Sequence, residues 1–159
     1  MRTLWLLLGM MAIAPTCAVA GEPTGFDGIA FGTTRGALVG KSSFRARCHP
    51  ATETETAVNA QGWRVTCPTY DLRDFGAMRV ALLFSAKDQL FGYVVYIPRD
   101  RQDTVRAKFE TLYGPPTSRL EKGTTLGWRW PSGTEASLTV FCLGSDGCLT
   151  VKAQAPEKR

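Results

Sequence analysis

The clearest hydrophobic pattern in the chain lies at residues 78–98, where two apolar runs flank a polar segment at 85–89. Apolar side chains occupy alternate positions in both runs: Val80, Leu82 and Phe84 in the first, and Tyr93, Val95 and Ile97 in the second. Strict alternation with β-branched and aromatic residues predicts half-buried strands. The polar segment between them has the length of a hairpin loop. We therefore predict an antiparallel hairpin with one face on a hydrophobic core.

Shorter alternating runs predict further strands on both sides of this hairpin. Trp63, Val65 and Cys67 form one such run, which Pro68 is predicted to end. Three more strands are predicted near residues 126–130, 137–141 and 149–151, with a turn at 131–133. Residues 42–48 are predicted to be extended. Residues 50–61 and 117–125 are polar and predict loops, the first of them mobile.

The hydrophobic period changes from two to 3.6 after residue 98. Val105, Phe109 and Leu112 then fall on one helical stripe. Asp100 is a candidate N-cap, and Gly114, followed by two prolines, is a candidate stop. This pattern predicts a long helix over about residues 100–113, with an apolar stripe that a sheet face must cover.

A second, short helix is predicted near the start of the domain. Thr33 or Thr34 can cap it, and Gly40 lies near its end. The predicted strands and helices are segregated, without βαβ alternation, which favours an α+β fold. We predict a single domain built on an antiparallel β-sheet, with one long and one short helix packed on one face, and stabilised by disulfides.

Residues 1–20 have the pattern of a secretory signal peptide. Arg2 precedes an apolar run of ten residues, and a small-residue cleavage site ends at Ala20. Cys17 leaves open the alternative of lipid attachment. We predict export to the periplasm or medium, a domain at 21–153, a disordered tail at 154–159, and no stable membrane insertion after cleavage.

Loss of the leader leaves four cysteines, and in an exported chain this number predicts two disulfides with three possible pairings. Local pairing is the most economical: Cys48 with Cys67 around a polar loop, and Cys142 with Cys148 across a turn. The alternative is a metal site of Cys48, His49 and Cys67. Its spacing fits no standard zinc pattern, so we predict no metal and no cofactor.

The charge of the chain changes this interpretation little. The formal net charge is +5, from 19 Lys and Arg against 14 Asp and Glu, and removing Arg2 gives 18 − 14 = +4. The basic residues are scattered, with short clusters such as Arg45 and Arg47. A nucleic-acid-binding surface would concentrate them, so we predict no nucleic-acid partner and a solvated, mildly basic surface.

The sequence offers little catalytic chemistry. His49 is the only histidine, and no G-x-S-x-G motif is present. A Cys48–His49 nucleophilic pair is conceivable, but a disulfide would consume the thiol. Asp71, Asp74 and Asp88 fall in predicted loops, where turn chemistry explains them. We predict no catalytic residues and no enzymatic activity.

Four segments carry a resemblance to known proteins: FDGIAFGT at 26–33, KDQL at 87–90, LYGPP at 112–116 and WRW at 128–130. Their order resembles small exported bacterial domains of the SmpA/OmlA lipoprotein type and of the β-lactamase-inhibitor-like type. The chain departs from the lipoproteins in lacking their lipid-attachment cysteine pattern. The resemblance implies a small periplasmic domain that binds protein, and it implies no catalytic residues.

The function predicted from these observations is a non-catalytic periplasmic module that binds a protein, in the manner of an inhibitor or immunity protein of an envelope-acting enzyme. An envelope-assembly module and an enzyme of unrecognised type are the alternatives. Aromatic and arginine side chains dominate interface energetics. The predicted partner-binding residues lie on the strand at 126–130 or near the end of the central hairpin: Trp128, Trp130, Tyr96, Arg99 and Arg101. Burial of both tryptophans in the core is the competing interpretation.

Overall fold

The computed structural model describes residues 21–48, 51–55, 62–120, 124–144 and 146–153. Its ten strands are β1 (Gly25–Phe26), β2 (Ile29–Ala30), β3 (Thr52–Glu55), β4 (Gly62–Leu72), β5 (Gly76–Ser85), β6 (Leu90–Ile97), β7 (Ser118–Leu120), β8 (Thr125–Arg129), β9 (Glu135–Leu143) and β10 (Asp146–Lys152). Its helices are α1 (Arg35–Val39), α2 (Ser42–Arg47) and α3 (Gln102–Tyr113), and a 3₁₀ turn (Arg99–Arg101) precedes α3. The predicted signal peptide, His49 and the predicted tail lie outside the described residues.

Eight strands form a single antiparallel sheet in the order β3-β4-β5-β6-β10-β9-β8-β7. The order consists of two four-stranded meanders, β3–β6 and β7–β10, whose last strands pair with each other at the centre. Val95 of β6 lies opposite Leu149 of β10 in this pairing. Helix α3 connects the two meanders, and α1 and α2 precede the first one.

The predicted central hairpin is confirmed as β5 and β6. Its strands pair antiparallel, with Val80 opposite Val95 and Leu82 opposite Tyr93. These four side chains are buried, as the alternation predicted. We call the side of the sheet that carries them the covered face, because the helices and the small β1–β2 hairpin pack there.

The opposite side of the sheet we call the open face. Its residues are the alternate positions of the same strands, among them Arg64, Arg79, Tyr96, Thr150 and Ser137. Most of these side chains are partly exposed. An antiparallel sheet can face solvent on one side in this way.

The segment at 42–47 is helical, with Cys48 as its C-cap, which makes the predicted extended conformation wrong there. Phe44 and Cys48 are four residues apart, so one helical turn places both side chains against the core. The backbone amide of Cys48 bonds the carbonyl of Phe44 at 2.9 Å. Burial of this pair outweighs the weak intrinsic helix preference of the segment.

Strands also form where loops were predicted, and they form at the edges of the sheet. β3 lies within the predicted mobile loop at 50–61, and β7 lies within the predicted loop at 117–125. β4 continues past Pro68 to Leu72 through a register shift between Cys67 and Tyr70. Proline lacks an amide donor, so a bulge is a position where a strand tolerates it. Polar edge strands carry no alternating apolar pattern, and hydropathy therefore missed them.

Helix α3 agrees with the prediction in its core and differs at its ends. Val105 and Phe109 are buried, but the side chain of Leu112 is 40% exposed. The N-cap is Arg101 rather than Asp100, and it makes no side-chain capping bond. Gly114 ends the helix with a φ of 85°, a conformation that favours glycine.

Both predicted cysteine pairs lie at disulfide distance. Their Cα atoms are 5.1 Å apart for Cys48 and Cys67, and 5.8 Å apart for Cys142 and Cys148. The first pair connects α2 to β4 on the covered face, and the second crosses the β9–β10 hairpin. The described chain is thus mostly antiparallel sheet with few helices, where the sequence predicted one long and one short helix.

Candidate functional site

The structure does not bring the predicted partner-binding residues onto one surface. Trp128 lies on the covered face and is 3% exposed. Its indole Nε1–H donates to the carbonyl of Gly114 at 2.9 Å, and its ring packs edge-on against Phe109 with centroids 4.9 Å apart. Trp128 therefore fastens the end of α3 to the sheet.

Trp130 and Arg101 also make contacts within the covered side. The partly buried ring of Trp130 meets Tyr113 edge-on, with centroids 6.2 Å apart. The guanidinium of Arg101 donates to the backbone carbonyls of Phe75 and Ala77, which fixes the loop before β5. Arg99 lies on the exposed 3₁₀ turn.

Tyr96 alone among the predicted residues lies on the open face, and two arginines surround it. Arg64 of β4 donates a hydrogen bond from Nη2 to the Tyr96 hydroxyl. The guanidinium carbon of Arg79 on β5 lies 4.8 Å from the centroid of the Tyr96 ring. We call Arg64, Arg79 and Tyr96 the arginine–tyrosine cluster.

Strand register explains how the cluster assembles. Arg79 is directly opposite Tyr96 across β5 and β6. Arg64 approaches from β4, on the other side of β5 from Tyr96. The row of residues between Arg64 and Tyr96 holds Ala81 and Val94, whose side chains are small. A long arginine stem can lie over such a row and bring its head to the tyrosine.

The cluster carries positive charge that the described residues do not neutralise. Among them, no carboxylate pairs with Arg64 or Arg79, and Nε of Arg64 is buried without an acceptor. Four other arginines of the described chain do have carboxylate partners, in the pairs Arg35–Asp88, Arg47–Asp27, Arg106–Glu110 and Arg129–Glu135. The guanidinium ends of the cluster offer hydrogen-bond donors to an acceptor from solvent or from another molecule.

One row of the open face consists of small residues. Gly127, Ser137 and Thr150 are neighbours in one row across β8, β9 and β10. They border a surface depression of about 510 Å³. Cys148 lies directly opposite Tyr96 across the β6–β10 pairing, so the second cysteine pair borders the cluster.

A second arginine–tyrosine contact lies on the covered side, and it includes a carboxylate. Asp27 pairs with Arg47 and accepts a hydrogen bond from the Tyr70 hydroxyl at 3.4 Å. The guanidinium carbon of Arg47 lies 4.8 Å from the Tyr70 ring centroid. Burial, with the nearby Asp27 charge as a smaller cause, raises the pKa of Tyr70 to about 12. We call Asp27, Arg47 and Tyr70 the closed cluster.

The described residues contain no group of three His, Cys, Asp or Glu side chains arranged to hold a metal ion. Cys48 and Cys67 are paired with each other, so neither sulfur is free to act as a ligand or nucleophile. A search for membrane-spanning helices among the same residues finds none.

Sequence reasoning missed Arg64 and Arg79, although alternation contained the information. Arg64 lies between Trp63 and Val65, and Arg79 lies between Met78 and Val80, so both must point away from the core. Alternation likewise places Tyr96 on that side. Which strands are neighbours, and in what register, was the missing information.

Comparisons with known proteins find no relative. No family model matches the chain, and no curated protein or solved structure gives a significant match. The resemblance to exported lipoprotein and inhibitor-like domains therefore stays a prediction.

Proposed function

We propose that this protein is a non-catalytic, α+β partner-binding module of the periplasm, in which helices cover one sheet face and the other face receives a protein. The observation that carries the proposal is the arginine–tyrosine cluster. Two arginines there have no carboxylate partner among the described residues, and they surround a half-buried tyrosine. Arginine and tyrosine are enriched among residues that dominate binding energy.

The partner is a protein that presents an acidic segment to the open face. Arg64, Arg79 and Lys152 have no carboxylate partner in the described parts of the chain. The face also carries Arg129, which pairs with Glu135. An arginine fork can hold a carboxylate through two parallel hydrogen bonds, and the positive face speeds encounter with a negative partner.

Compartment supports the same proposal. Two cysteine pairs at disulfide distance are compatible with an oxidising environment. An inhibitor or immunity protein of an envelope-acting enzyme and an envelope-assembly module both fit a protein-binding face. The identity of the partner separates them: a soluble enzyme supports the first, and an outer-membrane protein supports the second.

The test is capture of the partner from a periplasmic extract, followed by affinity measurement with open-face variants. We expect Arg64→Ala or Arg79→Ala to weaken binding at least 10-fold, and salt to weaken wild-type binding. Arg119→Ala is the matched control, because Arg119 is an exposed arginine of the edge strand β7 outside the cluster.

Two outcomes contradict the proposal. Equal binding by wild type and both cluster variants would show that the partner does not use the cluster. Equal weakening by all three arginine variants would show that only the total charge of the protein matters.

A further inference from the structure

A cavity of about 300 Å³ lies on the covered face, over the centre of the sheet. Tyr93 and Val95 of β6 and Leu149 of β10 line it from the sheet side. The β1–β2 hairpin and helix α3 supply its other walls. The cavity is thus located where the two meanders meet, and the sheet separates it from the arginine–tyrosine cluster.

Five aromatic residues are among those that line the cavity: Phe26, Phe75, Tyr93, Phe109 and Tyr113. Phe26 and Tyr93 contact each other with ring centroids 5.0 Å apart, and Phe109 and Tyr113 do so at 4.6 Å. Phe26, Tyr93 and Phe109 are almost fully buried, so packing fixes their rings in place. A concave site with fixed rings and a few polar groups is typical of small-molecule binding.

Tyr93 contributes a hydroxyl for which the described chain offers no hydrogen-bond partner. Its side chain is 6% exposed and lines the cavity. Burial raises the pKa of Tyr93, and charge repulsion from Tyr113 adds to this shift, so the phenol stays neutral. The hydroxyl oxygen is not shut off from solvent, so water or a polar group on a bound molecule can reach it.

Charges at the cavity margin disfavour an anionic ligand. Glu22, Asp27 and Asp74 border the cavity, against Arg73. Arg47 pairs with Asp27. Burial raises the pKa of Tyr113, and the nearby charge of Asp74 adds to this shift. The local field is therefore negative near the phenols.

We propose that this cavity binds a small, uncharged aromatic molecule that carries one hydrogen-bonding group. A cavity of roughly 150 Å³ admits benzene, so this larger volume suits two or three fused or linked rings. The rings would pack against Phe26 and Phe109, and the polar group would bond the Tyr93 hydroxyl. This site is independent of partner binding on the open face.

The probe for the test is N-phenyl-1-naphthylamine, an uncharged amine that carries a naphthyl and a phenyl group and whose fluorescence rises in apolar surroundings. We expect it to bind the processed, purified protein with a stoichiometry of one. Its sulfonated relative 8-anilino-1-naphthalenesulfonate has similar rings and a negative charge. We expect the sulfonate to bind at least 10-fold more weakly, because the carboxylates at the cavity margin repel its negative charge.

Variants locate the bound probe. Leu112→Trp places a large ring at the margin from a side chain that is 40% exposed, and should weaken binding at least 10-fold. Ala30→Trp obstructs the opposite margin from an exposed position and should act similarly. Tyr93→Phe removes only the hydroxyl and should weaken binding about 3- to 10-fold.

Phe141→Ala is the control for dye binding to exposed apolar surface, because Phe141 is 56% exposed and does not line the cavity. Its affinity should equal that of wild type. The proposal is wrong if the uncharged probe does not bind the wild type, or if it binds both obstructed variants as tightly as the wild type. It is also wrong if Phe141→Ala loses as much affinity as they do. Two obstructing variants from different elements keep the test decisive should one of them fail to fold.

Discussion

The two arginine–tyrosine contacts of this molecule have the same spacing and different surroundings. In each, a guanidinium carbon lies 4.8 Å from a tyrosine ring centroid. The closed cluster on the covered face adds Asp27, whose side chain is 6% exposed, and this carboxylate satisfies both Arg47 and Tyr70. The cluster on the open face has a second arginine, Arg64, in place of an acid.

This difference distinguishes a polar contact that stabilises the fold from one that can bind a partner. Within the closed cluster the charges balance and the hydrogen-bond donors have acceptors. Its interactions therefore contribute to the stability of the folded chain and not to binding. The arginine–tyrosine cluster has donors in excess, so its further acceptors come from water or from another molecule. Stability should therefore depend on the covered face and partner affinity on the open face.

The largest expected effect comes from the centre of the covered face. Phe109→Ala should lower the free energy of unfolding by about 3–5 kcal/mol, because it removes a buried ring packed on Trp128 and Tyr113. Urea denaturation measures it. Phe141→Ala, at an exposed ring, should change stability by less than about 0.5 kcal/mol. A loss below about 1 kcal/mol for Phe109→Ala would show that α3 does not depend on this contact.

The two cysteine pairs should also differ in how much they stabilise the protein, with the buried pair contributing more. Cys48 and Cys67 are 19 residues apart, so replacing both with serine should cost about 3 kcal/mol in the chain-entropy account, plus the burial of polar atoms. Cys142 and Cys148 are 6 residues apart and should cost about 2 kcal/mol. Intact mass with and without reductant should show two disulfides. A thiol that reacts with an alkylating reagent in the native, unreduced protein would contradict the pairing.

Alkaline pH should affect the closed cluster. Tyr70 has a pKa of about 12 in the folded chain and 10.0 as a free group, so above pH 10 the unfolded chain loses a proton that the folded chain keeps. Stability is complete below pH 10 and falls as pH rises toward 12, by an amount on the order of 1–3 kcal/mol. Tyr70→Phe should reduce that slope in melts between pH 9 and 12. An unchanged slope would place the titrating group elsewhere.

The smallest effect on stability is expected at the open face. Arg64→Ala removes a partly exposed side chain whose one described hydrogen bond is to Tyr96, so it should cost less than about 1 kcal/mol. Thermal melting should shift by a few degrees at most, while partner affinity falls at least 10-fold. A variant that unfolds would instead make Arg64 part of the scaffold.

Sequence alone predicted the elements in which side-chain periodicity is strong. Alternation from Val80 to Ile97 predicted the central hairpin, and the 3.6 period through Val105 and Phe109 predicted α3. Local spacing predicted both cysteine pairs. These features depend on neighbours in the sequence, and the physics that sets them acts over a few residues.

The remaining features depend on neighbours in space. Helix α2 forms because Phe44 and Cys48 find a core that residues 42–48 do not reveal. The arginine–tyrosine cluster joins three strands whose order was not predictable. Trp128 was placed among the binding candidates from its residue type, but the carbonyl of Gly114 and the ring of Phe109 give it a structural environment.

The pairing of β6 with β10 has a consequence for how the chain reaches its fold. Leu149 pairs with Val95, which lies more than fifty residues earlier in the sequence, so the sheet stays incomplete until the last strand is available. Such distant contacts raise the contact order, and sheets of this kind typically fold in milliseconds to seconds. Until then Leu90–Ile97 is a bare apolar edge, able to pair with the same strand of another chain. Truncation before β10 should therefore yield aggregation-prone material, and β10 supplied as a separate peptide should suppress that aggregation.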